Sequence, residues 1–218
     1  MVTMIITIDG PAGVGKSTVA MRLANRLGFE FLDTGAMYRA VTWAALQKGV
    51  DLKDHDAVAR IAASIEIHFD ADQVLVDGQD VTSEIRSADV TAGVSEVADN
   101  PKVRHLLVAQ QREMTAAGNF VCEGRDQGTV AFPNAECKIF LTATAAARAK
   151  RRFQQLRAAG AETDYHSILM EQTARDLRDT TRPVGRLSKA DDAVEFETDG
   201  KSLEQVVDEL ETFARSCL

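Results

Sequence analysis

Eight residues near the start of the chain have the types and spacing to hold a nucleoside triphosphate. Gly10-Pro11-Ala12-Gly13-Val14-Gly15-Lys16-Ser17 matches G-x-x-x-x-G-K-[ST] in full. The glycines let the backbone wrap close to phosphate, and exposed N–H groups and a helix start then face the anion. Lys16 would reach the β- and γ-phosphates. The Ser17 hydroxyl would ligate Mg²⁺, and Thr18 closes the segment. Gly10 to Thr18 is therefore the expected ATP site, with Mg²⁺ as cofactor. The motif specifies an NTP site and leaves the reaction open.

A second set of residues bears on the reaction. Arg39, Arg104, Arg125, Arg175 and Arg182 stand at turn and helix positions. The guanidinium fork suits bidentate phosphate binding. A second phosphorylated substrate needs such a clamp, whereas an attacking water does not. No guanine-reading N-K-x-D string is present. Asp33, at the end of a strand, is a candidate for holding waters of the Mg²⁺ shell. Asp9 could do the same, or could brace the loop.

Elements must position these groups. Met4 to Ile8 is a short, β-branched run, as expected of a strand buried on both faces. After the glycine-rich turn, Val19, Ala20, Leu23, Ala24 and Leu27 form one helical stripe, and Gly28 is a helix stop. Phe29 to Leu32, Phe120 to Cys122, Lys138 to Leu141 and Val194 to Phe196 read as further strands. Ile65, Ile67 and Phe69, then Val74 and Val76, alternate with polar residues and predict a hairpin across Asp70 to Gln73. Pro101 opens a helix, another runs roughly from Tyr165 to Arg178, and Ser202 with Gln205 makes a capping box for the last. Strands alternating with helices imply a parallel α/β sheet.

The chain has 218 residues and a net charge of −8, which argues against a nucleic-acid or anionic-membrane binder. Between Arg148 and Arg186, nine basic residues face five acidic ones. Such a segment fits a small polyanion, or is a solvated helix face. The three cysteines are far apart, without metal-ligand spacing. No signal peptide or membrane span is read, so the expectation is a cytoplasmic monomer that binds neither membrane nor nucleic acid.

Three segments carry a closer likeness: Leu32-Asp33-Thr34-Gly35-Ala36-Met37-Tyr38-Arg39, Glu123-Gly124-Arg125-Asp126-Gln127-Gly128-Thr129-Val130, and Ala174-Arg175-Asp176-Leu177-Arg178-Asp179-Thr180-Thr181-Arg182. Together they closely resemble the bacterial cytidylate kinase family. The stretch from Val76 to Arg86 resembles the insert that marks its bacterial members. The likeness runs from about Ile5 to the C-terminal helix, with order and spacing preserved. It implies an α/β fold, a doubly wound parallel sheet of P-loop kinase type in a single domain. An inserted NMP-binding lobe at about 34–100 and a short lid at about 153–166 belong to it.

The resemblance implies transfer of the γ-phosphate of ATP to CMP or dCMP. Arg39, Arg125 and Arg182 would grip the acceptor phosphate, helped by Tyr38, and act with Lys16 in catalysis. Thr34, Ser95, Arg104 and Asp126 would hold the base. Cytosine shows an amino donor beside two acceptors, which a carboxylate and an arginine match. Uracil reverses that pattern, and a site of matched polar groups discriminates against it. Arg175 and Asp179 resemble the sugar-binding pair, though i,i+4 spacing also fits a simple helix ion pair. Arg148 and Arg152 would serve the ATP side of the lid, or lie on an exposed helix face. Two features depart from the family. Glu123 stands where many members carry Asp, and Arg182-Pro183-Val184-Gly185-Arg186-Leu187 differs from the usual run. Two other readings stay open, an ATP-binding regulator without turnover and a P-loop kinase for another small acceptor.

Overall fold

The computed structural model describes residues 3–70 and 73–217. The first elements in chain order are β1 (Ile5–Asp9), α1 (Lys16–Leu27), β2 (Glu30–Asp33), α2 (Thr34–Gln47) and α3 (His55–Ser64). They are followed by β3 (Ile67–Asp70), β4 (Gln73–Val76), β5 (Gln79–Asp80), α4 (Ala88–Ala98) and α5 (Pro101–Met114). The chain continues with β6 (Phe120–Gly124), β7 (Cys137–Thr142), α6 (Ala145–Ala158), α7 (Tyr165–Thr181), β8 (Val194–Glu197) and α8 (Leu203–Ser216). Two compact units result. One comprises Met1–Leu32, Thr115–Arg182 and Arg186–Leu218, and the other Asp33–Met114 with Pro183–Gly185.

The first unit is built on a five-stranded sheet in the order β2-β6-β1-β7-β8. β1 pairs parallel with β6 and β7, and β7 with β8. Parallel partners need crossovers, so the strands come from distant parts of the sequence. As the apolar run predicts, β1 is buried on both faces: Ile6 and Ile8 are inaccessible, and so is Thr7 between them. Burying an isoleucine is worth about 1.5–3 kcal/mol. The stripe of α1 and that of α8 join this core through Val19, Leu23, Val207 and Leu210. Gly28 ends α1 in the left-handed conformation, at φ 70°. The expected capping box forms at Ser202 and Gln205. Cys122 and Cys137 are free thiols inside the sheet, and burial pushes both up. Among the described residues no helix is long and apolar enough to cross a membrane.

The second unit packs α4 on α2 and α5 on α3 beside a three-stranded sheet. The expected hairpin forms with Ile67 opposite Val76 and Phe69 opposite Val74. Two residues of its turn, at 71 and 72, lie outside the described residues. A third strand, β5, follows through Asp77 and Gly78, both at positive φ (51° and 79°), the geometry of a tight hairpin turn. This unit runs past residue 100 to Met114, because α5 buries Val103 and Leu107 against it. The segment read as a lid, 153–166, proves mostly helical. Phe153 to Ala158 finish α6, Tyr165 and His166 open α7, and only residues 159–164 connect them. Phe153 meets Tyr165 edge-on at 6.3 Å, which ties the two helices together.

Candidate active site

In the first unit the phosphate loop joins β1 to α1, and its shape is set by glycine. Gly10, Gly13 and Gly15 have φ of 154°, 76° and 99°. A Cβ on Gly10 would fall on the Leu141 carbonyl of β7. Lys16 turns back over the loop, its Nζ donating to the Pro11 carbonyl at 2.9 Å. Burial, and then the nearby positive charge of Arg125, lower its pKa to about 7. Glu123 and Asp9 offset this only in part, and a bound triphosphate would add counter-charge to the ammonium.

Ser17 Oγ donates to Glu123 Oε1 at 2.8 Å. Glu123 is thus long enough to reach the P-loop hydroxyl. A hydroxyl and a carboxylate are hard oxygen donors, and their pairing fits Mg²⁺. Among the described residues no cluster of three or more His, Cys, Asp or Glu could hold a metal by itself. An ion at Ser17 would therefore share its shell with phosphate oxygens and water. Asp33 caps α2: its Oδ1 accepts from the Ala36 N–H at 2.9 Å, while Oδ2 lies 3.7 Å from Arg86 Nη2.

The strongest electrostatic feature lies around Asp179. Its buried carboxylate accepts from Arg125 Nε at 2.8 Å and also pairs with Arg182. Burial alone would push this carboxyl up, but Arg125 and then Arg182 hold it below the usual range. The sequence suggested an i,i+4 partner, Arg175. The structure joins Asp179 to one arginine 54 residues away and to another at the end of its own helix, and the charge of Arg175 also acts on it. Two guanidinium groups are thereby brought together and fixed.

Asp9 braces a loop other than the phosphate loop. Both of its oxygens accept backbone N–H bonds, from Gln127 at 2.9 Å and Gly128 at 2.8 Å. It thereby anchors the turn that follows Arg125 and Asp126. Burial raises the Asp9 carboxyl to about 7 against a usual 3.8, despite those two bonds. Between these values the folded protein holds a proton that the unfolded chain has released, so this group lowers stability as pH rises across the window. Asp9→Asn should therefore flatten the fall in unfolding free energy over that window. Denaturant titrations of both proteins at several pH values would check it; parallel slopes would refute it.

Arg148 is buried rather than on an exposed face. It donates to the Ala12 carbonyl of the phosphate loop at 2.8 Å and pairs with Asp176 of α7. Arg152 is exposed on α6. In the second unit, Thr34 and Tyr38 are buried on α2, and Arg39 donates to the Ile85 carbonyl and Thr91 Oγ1 at 3.2 and 2.9 Å. Ser95 is half-buried in α4. Arg104 is buried, with its guanidinium 5.4 Å from the centre of the Tyr38 ring and Nη1 donating to the Ala98 carbonyl at 3.2 Å. Asp126 is buried in the first unit, and Arg175 is half-buried there on α7.

Strand order, phosphate loop and helical hairpin together define a P-loop kinase fold. A gluconokinase from Sinorhizobium meliloti shares it with a TM-score of 0.51 at 18% identity, covering 99% of this chain and 93% of that one. Sequence carries the assignment further. Residues 6–216 match the family model for cytidylate kinase. The cytidylate kinase of Rhodopirellula baltica is 48% identical over 215 residues, covering 99% of this chain and 94% of that protein. That of Pelotomaculum thermopropionicum is 51% identical over 207 residues, covering 93% and 92%. The chain belongs to the cytidylate kinase family. It is also 49% identical to part of the bifunctional pantoate ligase/cytidylate kinase of Synechococcus elongatus, of which it spans 41%.

Proposed function

We propose that this protein transfers the γ-phosphate of ATP to CMP or dCMP, giving ADP and CDP or dCDP. The observation that carries the reading is the Arg125–Asp179–Arg182 cluster. It presets two cations, buried Arg182 and half-buried Arg125, in the unit that holds the phosphate loop, with Arg125 close enough to Lys16 to lower its pKa. Hydrolysis has no use for such a clamp. Joining two polyanions requires one.

The attacking group is an oxygen of the acceptor phosphate. Its second pKa is near ~6, so it is mostly dianionic at neutral pH and needs no general base. The new bond forms between that oxygen and Pγ, and the bond from Pγ to the β–γ bridging oxygen breaks in line. Lys16 stabilises charge on the transferred group. Arg125, Arg182 and Arg39 neutralise the acceptor phosphate, with Tyr38 beside it. Ser17 would hold Mg²⁺ with Glu123 as its carboxylate neighbour, and the bound ion supplies positive charge to the β- and γ-oxygens. Asp33 would act on that shell through its waters. Arg148 shapes the loop under ATP through Ala12, and Arg152 can approach it from α6.

Asp126 would accept from the cytosine amino group and Arg104 would donate to N3 and O2, with Thr34 and Ser95 completing the base site. Arg175 and Asp179 would take the sugar. Asp126→Asn puts an amide where uracil's O4 could accept from it. The ratio of UMP to CMP turnover should rise about 10-fold or more. An unchanged ratio would remove Asp126 from base recognition. The enzyme is read as a cytoplasmic monomer, a setting in which its free thiols stay reduced.

The reaction itself is tested by product analysis. From MgATP and CMP, ADP and CDP should form in equal amounts. ADP and inorganic phosphate without CDP would mean hydrolysis and would end the kinase reading.

A further inference from the structure

One short segment of the second unit comes from far along the chain. Pro183–Gly185 belongs to it, although every other residue of that unit lies between Asp33 and Met114. The segment begins where α7 stops at Arg182, whose ψ of 146° leaves the helix, and Pro183 cannot continue it. It also lies in the run that departs from the family's usual sequence.

Gly185 sits at φ 59°, in the left-handed region. A Cβ built on it would fall on Cζ, Nη2 and Nε of Arg104. The backbone of Gly185 thus occupies the space directly against that guanidinium. The Tyr38 ring lies 5.4 Å from Arg104 Cζ, and the Ala98 carbonyl accepts from Nη1 at 3.2 Å. Arg104 is 7% exposed, so a displaced guanidinium has little room in which to settle.

We infer that Gly185 is a specificity-determining positioning residue: its lack of a side chain lets its backbone bear on Arg104 and fix the direction of the guanidinium fork. The inference rests on the reading of Arg104 as a base-recognition group. The mechanism is steric. Any side chain at 185 must push the far end of Arg104, which is more easily moved than the backbone. The fork then no longer points where N3 and O2 of cytosine require it. The contact belongs to the unit that does not contain the phosphate loop.

Gly185→Ala and Gly185→Asn test it together. Asn tolerates positive φ better than Ala, yet both carry the offending Cβ. Both variants should raise KM for CMP about 10-fold or more, with KM for ATP unchanged and a lower preference for CMP over UMP. In an Arg104→Ala background, where no guanidinium remains to be displaced, Gly185→Ala should have no further effect on KM for CMP. Thermal unfolding of each variant would confirm that it is folded. Four results would overturn the inference. If Arg104→Ala raises KM but neither Gly185 variant does, Gly185 has no positioning role while Arg104 keeps its own. If only Gly185→Ala is impaired, backbone strain is the cause. If the effects of Gly185→Ala and Arg104→Ala add, the glycine acts on the fold. If Arg104→Ala changes neither KM nor base preference, the reading of Arg104 fails and the inference fails with it.

Discussion

Lys16→Ala should lower kcat by about 10³-fold while leaving the protein folded. The ammonium is the cation built into the phosphate loop, and the fold already bears a cost for it. Its Nζ is buried, held by one carbonyl, and its pKa falls to about 7 through burial and Arg125. Such a group gains most when a triphosphate arrives and gives it a counter-charge. Its removal takes charge stabilisation from the transition state and relieves an electrostatic burden in the free protein. Steady-state kinetics and a melting curve of the ligand-free variant would check both halves. Near-normal kcat would place the essential charge elsewhere.

Asp179→Ala should cause the largest loss of stability of any single change at the site. It leaves two guanidinium groups facing each other without the carboxylate that joins them. Removing one partner of a buried ion pair typically costs about 3–5 kcal/mol. Denaturant unfolding would measure the loss. Because an acceptor phosphate could bridge the same two arginines, CMP should restore part of the lost stability, and cytidine, which has no phosphate, should not. Equal rescue by both would separate these arginines from phosphate binding.

The two variants divide what the sequence made legible from what it did not. The phosphate loop was readable because its chemistry is local. Eight consecutive residues make one turn, and a strand and a helix flank them. The ends of α1 and α8 were readable for the same reason, through Gly28 and the Ser202–Gln205 box. Asp33 also carries a local signal, since an Asp three residues before an N–H at a helix start is a cap. The helix it caps, α2, is buried along most of its length and shows little polar alternation, so periodicity gave no clear stripe. The longer-range contacts left no mark in the sequence. Asp9 meets residues more than 110 positions away, Ser17 meets Glu123 across 106, and Arg148 meets Asp176 across 28. Resemblance could point to Arg125, Asp179 and Arg182 one by one. Only coordinates show that one carboxylate holds both arginines.

The reaction is tested most directly by competition among acceptors. MgATP would be given with CMP, dCMP, UMP, AMP and GMP at equal concentrations, and the diphosphates formed would be separated and quantified at early times. CDP and dCDP should account for nearly all of the product, with formation lost in Lys16→Ala. Predominant formation of UDP, ADP from AMP, or GDP would contradict the assignment of the acceptor, and no diphosphate from any acceptor would contradict the kinase itself.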